Sequence, residues 1–343
     1  MIVKEFSKFI KAVRTGQNFH LYVTIFIIVF LLYILIGPRF FSPFNLESMA
    51  YQLPMLGLLA MGMMISILSG GINLSIVANA NFNGIIIAIV LRAMTNENMM
   101  QASVPVIIIA CLTGLAVTIV IGVFNGMLIA MLKIPAILVT LGSMTLLNGI
   151  SILLTRGRVI SGFPMPLLEL GNGRIGNMPI SIVIFLAIII ITHFILNRSS
   201  FGQKLYMVGA NQKACLFSNV NVNKIIVIQY VFSACFAFFT SLIMIGQLNS
   251  VRAGYMESYL LVAVLATFLG GVNPMGGFGK LSGVILAAII LQLISTGFIL
   301  LRMDPFLINA MWGAIIVIVL FARDITRIIA EKWKLRAVKS KLS

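Results

Sequence analysis

Acidic residues are scarce in this sequence. Of 343 residues, 8 are Asp or Glu and 2 are His, against 24 Lys and Arg, and charged side chains make up only 9% of the chain. A water-soluble domain needs a charged surface. This chain is 60% hydrophobic with a mean hydropathy of +1.11, more apolar area than a soluble fold can hide, so the bilayer is its natural solvent. The sparse acids and histidines form no carboxylate pair, no nucleophile–base pair and no metal-ligand spacing, so neither catalysis nor a cofactor or metal is expected. Cysteine is also scarce. Cys111 and Cys235 fall inside apolar runs and Cys215 in a polar stretch, an odd set that suggests no disulfide framework. No small-residue cleavage site follows the first apolar run, which therefore reads as an anchor and not as a removable signal.

What is abundant is apolar sequence in lengths that match a hydrocarbon core of roughly 30 Å. Ten candidate spans lie at about 19–37, 52–69, 74–94, 104–132, 134–155, 179–196, 225–246, 258–271, 280–301 and 305–322. The expected fold is an all-α polytopic membrane protein of about ten transmembrane helices. A single transmembrane domain, 19–322, lies between an N-terminal segment, 1–18, and a basic tail, 323–343. The segment 104–132 is long enough to be two pieces, which would change the parity.

The charges bear on that parity. Lys4, Lys8, Lys11 and Arg14 lie in 1–18, Arg198, Lys204, Lys213 and Lys224 in the loop 197–224, and seven basic residues in the tail. Ten spans put all three on one side, and the positive-inside bias makes that side cytoplasmic. The loops of the other side hold Glu47, Glu97, Glu169, Glu257 and Asp304. The basic excess thus reads as attraction to anionic membrane lipid, and no nucleic acid partner is expected.

The sequence echoes itself weakly. "LSGGINLSIVANANFNG" (68–84) resembles "LGGVNPMGGFGKLSG" (269–283), and "FNGMLIAMLKIPAILVTLG" (124–142) resembles "STGFILLRMDPFLINAMWG" (295–313). Internal repeats are common in transporters, although Gly-Gly and Pro also simply punctuate membrane helices.

Ion-driven carriers bury ionisable groups at mid-membrane. Here no span interior carries a strong candidate, and Arg92 and Lys133 flank span ends where they can snorkel. "GGFGKLSG" (276–283) imitates a phosphate loop, but Pro274 and Leu281 stand where that loop needs Gly and Ser or Thr. The chain thus reads as a conduit that needs external energy. Neutral polar residues are better supplied. Asn73, Ser75, Asn79, Asn81 and Asn83 crowd one span junction, with Asn79 and Asn83 one helical step apart. Thr140, Ser143, Asn148 and Gln292 lie inside other spans. Two readings are open: a pathway for a neutral, hydroxyl-rich solute through Asn73, Ser75, Asn79, Asn83, Thr140 and Asn148, or hydrogen bonding between helices. Gly114, Thr118, Gly122 and Gly126 recur every four residues and read as a packing stripe.

"GANQKACLFSNVNVNK" (209–224) is a polar island between two apolar runs. Asn211 suits a helix N-cap, Gln212–Ser218 make about two turns, and Asn219 suits a left-handed stop. Such a helix is either a docking element or an amphipathic connector lying on lipid.

This stretch resembles the cytoplasmic coupling segment of the permease subunits of monosaccharide ABC importers, the ribose/xylose/galactose branch. That family's pattern is roughly Gly-x-Asn-Glu-x-Ala-Ala-Arg-Leu-Ser-Gly-Ile. Gly209, Asn211, Ala214 and Ser218 match it, while Gln212, Cys215, Leu216, Phe217, Asn219 and Val220 depart. The resemblance extends over about 45–322. "LSGGINLS" (68–75) has Asn73 where the family usually has Asp, and "KIPAILVTLGSM" (133–144), "TRGRVISGFP" (155–164), "FGQKLYMVGANQKA" (201–214) and "LGGVNPMGG" (269–277) follow in order.

The resemblance implies a permease in the bacterial inner membrane, with both termini cytoplasmic, that hydrolyses no ATP itself. A separate ATPase subunit would dock at Gly209, Asn211, Gln212, Lys213, Ala214, Ser218 and Asn219. A periplasmic or lipid-anchored binding protein would deliver a sugar or sugar-like solute. A second permease chain, identical or related, would complete the path. The rivals are an ion-coupled secondary carrier and a non-transporting partner permease or scaffold.

Overall fold

The computed structural model describes residues 19–176, 178–319 and 321, so the expected N-terminal segment 1–18 and basic tail 323–343 lie outside the described residues. The chain is all-α and polytopic. It divides into two compact units, Met1–Leu301 and Arg302–Ser343. The helices of the first are α1 (Phe19–Ile36), α2 (Pro43–Leu68), α3 (Ile76–Met94), α4 (Val104–Ala130), α5 (Ala136–Thr155), α6 (Met165–Asn172), α7 (Ile180–Arg198), α8 (Ser200–Ala210), α9 (Gln212–Phe217), α10 (Val222–Leu248), α11 (Glu257–Leu269) and α12 (Leu281–Leu300). The described part of the second unit holds one apolar helix, α13 (Pro305–Val319).

Among the described residues, eight helices are long and apolar enough to cross a membrane: α1 to α5, α7, α10 and α12. The segment 104–132 is one continuous helix, α4. The other two expected spans, 258–271 and 305–322, form shorter apolar helices. At about 1.5 Å per residue, α11 with its 13 residues reaches only part of the way across a hydrocarbon core of roughly 30 Å. The chain before it is not helical, and that turn lies against α3, where Asn81 Nδ2 donates to Tyr255 O at 2.7 Å.

Two helices organise the first unit. The 27-residue α10 packs along α4, α2, α3 and α6. Helix α2 packs along α10, α12, α11 and α7 and is almost wholly buried beyond its first turns. By contrast α1 is apolar but largely exposed, as expected of a helix that faces lipid. Every fourth residue of α4 from Gly114 to Gly126 is small, and the structure gives the reason. A Cβ on Gly122 would lie 2.8 Å from Val231 Cα, and one on Gly126 would lie 2.7 Å from Val227 Cα. Helix α4 can touch the α10 backbone only because these positions lack side chains. Such close approach drives helix association where lipid competes for apolar contact.

The internal echo extends to local geometry. Each Gly-Gly pair holds one left-handed glycine, the first of one pair (Gly70, φ +86°) and the second of the other (Gly271, φ +81°). In each copy the following Asn folds into the same turn, with Asn73 Oδ1 accepting from Ser75 N and Asn273 Oδ1 from Met275 N, both at 3.2 Å. Lys133 and Arg302, two and three residues before the prolines of the second echo, are left-handed as well, at +54° and +53°.

The bundle has two distinct ends. At one, the Gly-Gly turn after α2, the segment α8–α9 and the turn 270–280 meet, and Gly277 N donates to Leu68 O at 2.9 Å. At the other, β1 (Ile160–Ser161) pairs antiparallel with β4 (Ser250–Val251), and β2 (Arg174–Ile175) with β3 (Met178–Pro179). Gly126→Leu should overfill the α4–α10 contact, destabilise the protein by about 1–3 kcal/mol and lower its melting temperature in detergent. Gly313→Leu, at a site with nothing within 4 Å, should leave that temperature unchanged.

Candidate functional site

The polar island folds as a helix–turn–helix. Ser199 begins α8, its Oγ accepting from Gly202 N at 3.2 Å, and Gly202, Leu205 and Val208 form the buried side of that helix. Asn211 ends α8 and caps α9, its Oδ1 accepting from Ala214 N at 3.0 Å. Asn219 then stops the chain's advance with φ +55°. Within α9, Cys215 turns inward and is buried, whereas Gln212, Lys213 and Ala214 are exposed, as are Ser218 and Asn219 just beyond it. Leu216 is 65% exposed and Phe217 93% exposed. Both stand at positions where the sequence departs from the coupling pattern. Leu216 stands where that pattern has Arg and Phe217 where it has Leu, so the tip of α9 is apolar. Beside it is a cleft of about 300 Å³ lined by Leu216, Asn219, Val220, Asn221, Val222 and Asn223. Gly209, one turn before, is packed against backbone of the two Gly-Gly turns.

The other candidate residues divide into groups. Asn73, Ser75 and Thr140 are brought together in one buried network. Asn73 Nδ2 donates to Ser233 Oγ at 3.0 Å, and Ser75 Oγ to Asn73 Oδ1 at 2.7 Å. Asn125 Nδ2 donates to Ser75 Oγ at 3.0 Å, and Ser143 Oγ donates to Asn125 Oδ1. Thr140 Oγ1 donates to Ile72 O at 3.0 Å. Nearby, Gln229 Nε2 donates to Ser66 O at 3.2 Å and Ser69 Oγ to Gln229 Oε1. Asn83 belongs elsewhere, donating to Gly114 O at 2.8 Å and to Thr118 Oγ1 on α4. Asn79 is buried and its side-chain carbonyl has no partner; the same holds for the Asn148 carbonyl on the half-buried α5 face. Sequence reasoning missed Asn125, Ser233, Gln229, Ser66 and Ser69. Their signal, a lone polar residue inside an apolar run, is weak in each case.

Helix α5 carries an open apolar groove. Gly142 and Gly149 meet nothing within 4 Å. They line a cavity of about 770 Å³ with Leu138, Leu141, Thr145, Leu146, Ile150 and Leu153. Ser143 lines an adjoining cavity of about 310 Å³, so the polar network reaches this face. At the end opposite α9, Arg174 pairs with Glu47 and donates to Tyr51 Oη at 3.3 Å. The Tyr51 bond, then the Glu47 charge, raise the Arg174 pKa, which leaves the guanidinium charged at any physiological pH. Tyr51 in turn donates to Asn172 O at 3.2 Å, and Gln247 donates to Tyr51 O. This set clamps α2, α6 and α10 together. Among the described residues no three His, Cys, Asp or Glu side chains come close enough to hold a metal.

Apolar spanning helices, a buried neutral polar network and an exposed polar helix at one end define a polytopic membrane transport component. The chain belongs to the family described as the branched-chain amino acid transport system/permease component, whose pattern matches residues 45–322. It is 29% identical to the ribose import permease of Bacillus subtilis over 87% of this chain and 89% of that one. It is 29% identical to the galactose/methyl galactoside import permease of Escherichia coli K12, over 82% and 86% of the two chains. The autoinducer 2 import system permease of E. coli O9:H4 is likewise 29% identical, over 87% and 85%. No solved structure matches.

Asn125→Leu would strand Ser143 inside the bundle and remove one of the two side-chain bonds of the Ser75 hydroxyl. Leaving buried groups unpaired costs about 1–3 kcal/mol, so the melting temperature in detergent should fall. Asn79→Leu removes a carbonyl that has no partner and should leave that temperature close to wild type.

Proposed function

We propose that this chain is the membrane-spanning subunit of an ABC importer, carrying a sugar or sugar-like solute inward on energy supplied by a separate ATPase. The exposed Leu216–Phe217 tip of α9 carries this reading. Two large apolar side chains held out of the protein by a capped helix call for a complementary pocket, and an ATPase groove is the partner the family relationship suggests. Gly209, Asn211, Gln212, Lys213, Ala214, Ser218 and Asn219 shape and flank that tip. The lost Glu and Arg of the coupling pattern thus mean docking by apolar contact more than by charge.

Orientation follows from the charges. Lys133, Arg198, Lys204, Lys213, Lys224 and Lys280 belong to the α9 end, with no acid among its described residues. Glu47, Glu97, Glu169 and Glu257 belong to the opposite end beside Arg39, Arg92, Arg156, Arg158, Arg174 and Arg252, and Glu47 pairs with Arg174. With the basic residues of 1–18 and of the tail read on the same side as the α9 end, the positive-inside bias makes that side cytoplasmic in a bacterial inner membrane, and both termini with it. The opposite face, where loop 156–178 folds into α6 and two short hairpins, then receives a periplasmic or lipid-anchored binding protein. The open α5 groove suits a second permease chain, identical or related, with the solute passing between them. Asn73, Ser75 and Thr140 lie behind this groove, Asn148 belongs to the helix that carries it, and Asn79 and Asn83 belong to α3; together they offer amide and hydroxyl groups to a neutral polyol. The relatives carrying ribose, galactose and autoinducer 2 names make those three the solutes to try first.

The test uses the full chain expressed with its ATPase and binding protein. Phe217→Asp should lose the copurifying ATPase and reduce ATP-driven uptake of these solutes by about tenfold or more, with permease abundance unchanged. Asn79→Leu should keep the ATPase bound and still transport poorly. Normal uptake by Phe217→Asp, or uphill uptake by the purified chain alone on an ion gradient, would point to a secondary carrier instead.

A further inference from the structure

We infer that Gly209 and Gly277 form a backbone joint through which α8–α9 moves the end of α2 and the turn 270–280 as one body, which makes them positioning residues for transport. The inference rests on the importer reading above, and it identifies how a push on α9 reaches the spans.

Three segments distant in sequence touch here through main chain alone. A Cβ on Gly209 would overlap Leu68 O and Gly277 N. One on Gly277 would lie 2.7 Å from Ala210 Cα and N, and one on Gly276 would lie 2.7 Å from Gly70 N. Gly277 N donates to Leu68 O at 2.9 Å, closing the triangle. A side-chain strut adds to it, since Tyr206 Oη on α8 donates to Gly279 O at 2.8 Å. Burial raises the Tyr206 pKa, so the phenol remains a donor. Contacts through flexible side chains absorb displacement by changing rotamer, whereas packed backbone transmits it.

Each turn held by the joint leads into a spanning helix, 69–75 into α3 and 270–280 into α12. The first also carries Asn73 and Ser75. From there hydrogen bonds run through Asn125 to Ser143, which lines the α5 side cavity. A continuous chain of contacts therefore connects the α9 tip with the face where solute would pass. The two copies of the internal echo are the two turns that grip Gly209. Gly276 and Gly277 also have left-handed φ, +86° and +75°, so alanine is strained there in any surroundings. Gly209 lies in helix α8 and tests the close contact alone.

The experiment compares wild type, Gly209→Ala, Tyr206→Phe and the control Gly313→Ala. Each full-length chain is purified with its ATPase and reconstituted with its binding protein. Copurified ATPase, ATP hydrolysis and uptake of tritiated ribose, galactose and autoinducer 2 are measured. In the complex that copurifies, uptake per ATP hydrolysed by Gly209→Ala should fall about tenfold, within the ordinary range of coupling between sites. Tyr206→Phe should lower the same ratio less, and Gly313→Ala should not change it. Wild-type ratios in Gly209→Ala and Tyr206→Phe would overturn the joint. If Gly209→Ala does not assemble, Tyr206→Phe decides alone, and a wild-type ratio there reduces the contact to packing. A wild-type complex that binds no ATPase, or takes up none of the three solutes, sinks the importer reading itself, and the joint falls with it.

Discussion

The constraint on which this structure depends is a break in the main chain between α2 and α3. Helix ends at Leu68 and resumes at Ile76, yet Asn73 and Ser75 between them are buried in the bundle. Peptide groups in such a place have no water to bond, and lipid offers nothing. They are satisfied from several directions. Gly71 N turns back on Ser66 O at 3.1 Å, Thr140 on α5 donates to Ile72 O, and Gly277 N from the second Gly-Gly turn donates to Leu68 O. Asn73 reaches Ser233 on α10, and Ser75 accepts from Asn125 on α4. Satisfying one short segment thus ties together four spanning helices and the turn that precedes a fifth.

Much of this was legible in the sequence at the level of elements. Apolar runs located the helices because a hydrocarbon environment permits little else. Asn211 and Asn219 marked the start and stop of α9, since capping and left-handed geometry are local and depend on few neighbours. The packing stripe on α4 followed from its period, although only the structure shows that Gly122 and Gly126 meet α10 while Gly114 meets Asn83 and Ile87 on α3. What the sequence could not carry was partnership. Hydropathy around 258–271 equals that of a full span; α11 is short because the chain before it folds against Asn81, whose bond to Tyr255 joins positions 174 residues apart. Ser233 and Gln229 look like incidental polar residues in α10 until the fold sets them against Asn73 and Ser66, some 160 residues away. At α9, Leu216 reads in sequence as a lost charge and Phe217 as a departure from Leu, and their exposure gives them a different meaning.

The energetics of the molecule favour borrowed work. A secondary carrier usually buries ionisable groups at mid-membrane, whereas the buried polar side chains of the described spans are amides and hydroxyls. The ionisable clamp of Glu47 and Arg174 lies at the bundle's end, bonded to Tyr51. The neutral network is rigid where it is fully paired. Outside it, the side-chain carbonyls of Asn79, Asn83 and Asn148 are buried without a partner. Motion would then have to enter from outside the bundle, and α9 is the element that presents itself for that purpose.

The most direct test of this account replaces Phe217 with a photoreactive phenylalanine analogue in living cells, with Met165 on α6 replaced likewise for comparison. Illumination should join position 217 to an ABC ATPase, identified by mass spectrometry, and position 165 should capture no ATPase. Capture of a periplasmic protein at position 217, or of an ATPase at position 165, would contradict both the assigned orientation and the role of α9.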